Sequence, residues 1–157
     1  MRCAVLLLTF ALAGCGSALV GPAAPPLNSS AHFGWQTVDD IHVGWLMVTD
    51  DGISCDEILD VVDHRKDAGD ALWVALEKGP TLDWPGLYPG TWGSYPAGDG
   101  VEGRHAEVYF QLEEDVVPLT GNDVWVEVHS DGDLFKATLD TSLAWGLIVA
   151  RDCGQID

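Results

Sequence analysis

The chain has 157 residues, 47% of them hydrophobic, and carries 25 acidic against 7 basic side chains, for a formal net charge of −18. A surface this acidic repels phosphate backbones and anionic head groups, which excludes nucleic acid as a partner. It leaves open a cationic or neutral partner, and equally a charge that serves only solubility.

Residues 1–14 read as an export signal. Arg2 precedes an apolar run from Ala4 to Ala13, too short to cross a bilayer as a permanent helix and shaped like a secretory leader. The run ends in Leu12-Ala13-Gly14-Cys15. This resembles the lipobox of bacterial lipoproteins, in which the chain is cut before the cysteine and the cysteine is lipidated. The resemblance implies that Cys15 carries acyl chains such as palmitate and anchors the protein to a membrane. Gly16, rather than Asp, follows the cysteine, and this implies sorting to the outer membrane of a Gram-negative envelope. Removing the signal takes Arg2 and no acid, so the mature side-chain balance is 6 − 25 = −19. Residues 16–30, GSALVGPAAPPLNSS, are small, proline-containing and uncharged. They show no periodicity, so 15–32 reads as a lipidated cysteine and flexible tether. Residues 33–157 then form a single β-rich domain, large enough for one core.

Ile41–Val48 is rich in β-branched and aromatic residues and reads as a buried strand, ended by Asp50-Asp51-Gly52. A helix is expected over about 54–68. Ser54 and Glu57 have capping-box spacing, and Asp56 and Glu57 suit the positive end of the helix dipole. Cys55, Ile58, Leu59 and Val62 fall on one stripe, and Gly69 can close the segment. Ala71–Glu77 is the next strand. Residues 79–103 hold seven glycines, four prolines and four aromatics and read as an irregular crossing or short strands with wide turns.

His105–Leu112 alternates, with Ala106, Val108, Phe110 and Leu112 on one face. Asp123–His129 alternates with Val124, Val126 and Val128 inward. Asp131-Gly132 makes a hairpin turn, and Leu134–Asp140 returns. In the last strand Leu143, Trp145, Leu147 and Val149 share a face, expected to be the core face, with Cys153 in phase. Several short strands and one short helix indicate a mainly β domain, an antiparallel β-sandwich or open barrel.

Four cysteines reduce to two. Cys3 leaves with the signal and Cys15 is taken by lipid. In an oxidising compartment the remaining Cys55 and Cys153 are expected to pair. The closed loop of roughly a hundred residues is worth about 4–5 kcal/mol by chain entropy.

No other constellation carries chemistry as strongly. Gly98–Gly103 fits Gly-x-Gly-x-x-Gly, but a strand follows where the dinucleotide fingerprint needs a helix. His105 with Glu107, and Glu127 with His129, would share a metal-binding surface only if their strands were neighbours. The turns Asp50-Asp51-Gly52 and Asp131-Gly132-Asp133 lack EF-hand spacing, which leaves at most weak calcium binding. No nucleophile elbow or triad is present. The loop aromatics Trp84, Tyr88, Trp92 and Tyr95 are the best ligand-binding candidates, because rings offer rigid contact area.

VGWLMVTDDGISCDEIL, then Tyr88-Pro-Gly-Thr-Trp92, then DGDLFKATLDTSLAWGLIVARDC follow a lipobox and tether. In this order they resemble an uncharacterised β-sandwich lipoprotein type of myxobacteria and similar Gram-negative bacteria. The resemblance carries no activity. The expectation is a membrane-anchored envelope lipoprotein in a structural or interaction role, with no enzyme activity, cofactor or metal. The alternative is a glycan- or protein-binding module that uses the loop 79–103.

Overall fold

The computed structural model describes residues 16–39, 41–63, 67, 69–78, 90–93, 104–112, 115–119, 124–130 and 134–157. Among these residues ten strands carry the fold. They are β1 (Gly16–Val20), β2 (Ser30–Val38), β3 (Ile41–Thr49), β4 (Ala71–Lys78), β5 (Gly90–Gly93), β6 (Arg104–Leu112), β7 (Asp115–Leu119), β8 (Trp125–Ser130), β9 (Leu134–Asp140) and β10 (Trp145–Gln155). A 3-10 turn, Cys55–Glu57, runs into helix α1 (Ile58–Val62). The protein is mainly β with one short helix, as its alternating segments require.

The strands form one curled sheet in the order β1-β10-β2-β3-β4-β6-β5-β8-β9, with β7 beside β6. It is a curled, barrel-like sheet of mixed rather than purely antiparallel pairing. β10 runs parallel to β2, and β5 parallel to β6. β10 also pairs with β9, which brings the far end of the sheet back to its beginning. The β5–β6 seam is thin: Gly93 opposite His105 is the one pair there among the described residues.

Alternation fills the interior. Leu46 and Val48 of β3, Leu72, Val74 and Leu76 of β4, and Val108 and Phe110 of β6 are all fully buried in one cluster. Phe33 of β2 stacks on Phe135 of β9, centroids 3.8 Å apart and planes 10° apart, so two fully buried rings meet inside the barrel. A second, smaller cluster lies on the outer face beneath α1. It joins Met47, Trp73 and Ala71 to Ile53, Ile58, Val61 and Ile156. β3 and β4 are covered on both faces, which is why their sequences read as nearly continuous apolar runs.

The helical segment is shorter than expected. α1 ends at Val62, with Asp63 as its C-cap. Residues 64–66 and 68 lie outside the described residues. Glu57 accepts from the Ser54 backbone N–H at 2.7 Å and from the Ser54 hydroxyl at 3.0 Å, so the expected capping pair forms. The buried stripe is Ile58 and Val61, with Leu59 and Val62 only partly covered. Opening on a tighter 3-10 turn shifts the face that a pure 3.6-residue period would select.

The segment expected to be a flexible tether is ordered. From Gly16 the chain is already sheet: β1 pairs along its whole length with Trp145–Val149 of β10. Leu19, Ala23, Ser17 and Ser29 are buried, and the Ala23 N–H donates to the Leu143 carbonyl. Five short residues carry too little periodicity to announce a strand. Their order comes from the edge of β10, over a hundred residues away in sequence. Gly146 allows the approach. Its φ is +138, and a Cβ there would sit 2.2 Å from the Ala18 carbonyl oxygen.

β10 turns the opposite face to the core from the one its hydrophobicity suggests. Ile148 and Ala150 face the interior, while Trp145 and Leu147 lie on the outer face, 46% and 41% exposed. Cys153 therefore belongs to the outer cluster rather than the barrel core. The two phenylalanines already occupy the interior beside this strand, leaving room for the smaller alternate residues.

Gly146→Ala is expected to lower stability by about 1–3 kcal/mol, since it combines a strained φ with a backbone clash. Denaturant unfolding of the variant against the parent measures this. An unchanged midpoint would contradict the β1–β10 packing.

Candidate functional site

Chemistry-bearing side chains gather in three places on the outer surface. The first is the clasp. Cys55 and Cys153 form a disulfide, Cα atoms 5.5 Å apart and 98 positions apart in sequence. Cys55 stands at the start of the 3-10 turn and Cys153 near the end of β10, so the bond fixes the helical segment to the last strand. Beside it Ile156 packs over Gly34, where a Cβ would lie 2.8 Å from the Ile156 side chain. The Ile156 N–H donates to the Trp35 carbonyl at 2.9 Å. A sulfur held in this bond is neither nucleophile nor metal ligand.

The second place is the outer face of β6. His105 Nε2 lies 3.3 Å from Glu107 Oε1, and the Tyr109 hydroxyl donates to Glu107 Oε2. Tyr109 also stacks on Trp73, centroids 5.7 Å apart. Burial, then the bond to Glu107, push the Tyr109 phenol up to about 12, so it stays protonated and holds its donor role. This is the reverse of an activated phenolate. Glu127 and His129 stand on β8, and β5 separates that strand from β6. The structure therefore does not assemble the four-residue set that neighbouring strands would have made. His129 Nε2 instead meets the Thr138 hydroxyl at 2.7 Å. No group of three or more metal-ligating side chains occurs among the described residues.

The third place was not singled out by the sequence. Register carries one row across four strands, from Trp125 (β8) to Asp140 (β9), Trp145 (β10) and Val20 (β1). The next row holds Glu127, Thr138, Leu147 and Ala18. Trp125 and Trp145 are each 46% exposed. Their strands alternate correctly in the sequence, but hydrophobicity assigns Trp145 to the core. Only closure of the barrel shows that this face is the outside.

The loop candidates Trp84, Tyr88 and Tyr95 lie outside the described residues, as do the Gly98–Gly103 motif, the Asp131-Gly132-Asp133 turn and Cys15. Trp92 lies in β5, its backbone opposite Val126. In the other acidic turn, Asp50 N–H donates to the Asp70 carbonyl and Thr49 Oγ1 to the Asp51 carbonyl, which is ordinary turn bonding.

His32 is half-buried beside Arg151, its register partner on β10. Burial, then the Arg151 charge, hold its imidazole below the ordinary 6.5. No helix among the described residues is long and apolar enough to cross a membrane. No protein-family model, curated protein or solved structure matches the chain.

Two outcomes follow from this geometry. Replacing both Cys55 and Cys153 by Ser is expected to cost about 4–5 kcal/mol, the chain-entropy value for a loop of this length. Equal urea midpoints for the variant and the oxidised parent would refute the clasp. His32 binds its proton more weakly folded than unfolded, so it contributes stability above its unfolded pKa and loses it as pH falls below about 6.5. Melting from about pH 7.5 to about pH 5 should therefore fall less steeply for His32→Asn than for the parent. Parallel curves would contradict that role.

Proposed function

We propose that this protein is a non-enzymatic envelope lipoprotein, anchored through Cys15 and serving a structural or interaction role at the outer membrane of a Gram-negative cell. The observation that carries the reading is Leu12-Ala13-Gly14-Cys15 at the end of a short apolar leader. The disulfide between Cys55 and Cys153 supports it, because such bonds persist in exported proteins. The non-catalytic part of the reading draws on the state of the reactive groups. Both sulfurs are bonded, and the His105–Glu107–Tyr109 chain ends in a phenol pushed away from reactivity. Under this reading the partner is first the membrane, and beyond it an envelope protein or glycan.

A second reading, a binding module that uses Trp84, Tyr88, Trp92 and Tyr95, draws on the aromatic and proline content of residues 79–103.

Expression in a Gram-negative host with fractionation and intact-mass measurement tests the anchor. The parent is expected in the membrane fraction, beginning at Cys15 and heavier by its acyl chains. Cys15→Ala should appear in soluble fractions without them. An unmodified parent starting elsewhere would end the reading.

A further inference from the structure

Nine large apolar side chains are exposed among the described residues: Val20, Leu27, Val38, Ile41, Val117, Trp125, Leu134, Trp145 and Leu147. Five of them, Val20, Trp125, Leu134, Trp145 and Leu147, lie on one surface, the outer face of β8, β9, β10 and β1. Register places them there in successive rows. Trp125, Asp140, Trp145 and Val20 form the first, and Glu127, Thr138, Leu147 and Ala18 the second. Lys136, Val149 and Gly16 follow, and then Leu134 beside Arg151. By strand spacing and rise, the four-strand row spans about 14 Å, and Val20 stands about 13 Å along β1 from Gly16.

The charge on this surface is unlike that of the rest of the chain. Exposed Lys136 and Arg151 are two of only six cations that follow Cys15. They face two exposed acids, Asp140 and Glu127. The surface is thus balanced in a mature chain whose side chains sum to −19. This face runs the whole length of β1, from Gly16, one residue after Cys15, to Val20 in the tryptophan row. Leu27 is 72% exposed. It lies in the β1–β2 connection, next but one to Ser29, whose carbonyl oxygen is 3.7 Å from where a Gly16 Cβ would be.

We propose that this outer face lies against the bilayer that receives the lipid on Cys15. The inference rests on the anchor reading above and deepens it. A lipid attached to Cys15 leaves no slack, because the next residue is already hydrogen-bonded sheet. The barrel cannot stand off, and the surface bordering Gly16 must meet the head groups. Tryptophans suit that depth, because an amphipathic ring settles at the membrane–water interface. Lys136 and Arg151 meet lipid phosphates, while Asp140 and Glu127 face head-group ammonium. The strongly acidic remainder of the surface is turned away, as repulsion by anionic lipid demands.

The test uses full-length protein produced in a Gram-negative host, purified in detergent and weighed intact. It is then reconstituted into phosphatidylethanolamine–phosphatidylglycerol vesicles with or without brominated acyl chains. Bromine quenches nearby indoles, so the acylated parent should be dimmer in brominated vesicles. Trp125→Phe with Trp145→Phe should lose that quenching, whereas Trp45→Phe, on β3, should keep it. Leu147→Glu, which leaves every tryptophan in place, should weaken it. Acylated protein quenched equally with and without Trp125 and Trp145 would overturn the docked face while leaving the anchor intact. An unacylated mass would overturn the anchor and the docking with it. Sedimentation of the vesicle-free, acylated protein as a dimer that shields both indoles from a soluble quencher would assign the face to a second copy instead.

Discussion

The fold depends on the double pairing of β10. This eleven-residue strand has β9 along one edge. Along the other it has β1 at its first half and β2 at its second. Without it the sheet would be an open ribbon with two long exposed edges, the arrangement most prone to pairing with other chains. With it, the first and last strands of the ribbon meet, and Phe33 and Phe135 stack across the enclosed volume. The disulfide secures the far end of the same strand to the helical segment. Residues 16–38 and 134–157 thus hold each other, although the rest of the chain separates them.

Local signals in the sequence carry much of the middle of the chain. β3, β4, β6, β8 and β9 announce themselves through alternation or β-branched runs. The helix start is legible in Ser54 and Glu57, because capping is a local exchange of hydrogen bonds. Pairing of Cys55 with Cys153 is also legible, because elimination leaves one partner. β1 and β2 are less so: Ala18, Leu19 and Val20 become a strand only through an edge supplied at the other end of the chain. Parallel pairing of β2 with β10 is likewise a property of closure, with no local mark.

Trp145 shows where composition misleads. On β10 the odd positions are the more hydrophobic, so periodicity assigns them to the core. Inside a small barrel, space rather than hydrophobicity decides. Phe33 and Phe135 occupy the interior, Ile148 and Ala150 complete it, and the tryptophan is left outside. This reversal creates the exposed Trp125–Trp145 row and so the one extended apolar surface among the described residues. That surface extends along β1 from Gly16 to Val20, which gives the proposed anchor a geometric meaning. If Cys15 is acylated, the protein is a barrel seated on its membrane, not one hanging from a string.

Amide hydrogen exchange followed by mass spectrometry tests most directly whether β1 is built into the barrel by β10. Peptides covering Gly16–Val20 and Trp145–Gln155 should both exchange slowly in native buffer and should become labile together in mild denaturant. Exchange of Gly16–Val20 at the rate of an unstructured chain, with Trp145–Gln155 still protected, would contradict it. Residues 16–30 would then be a tether after all, and the barrel would be free to stand away from the proposed anchor.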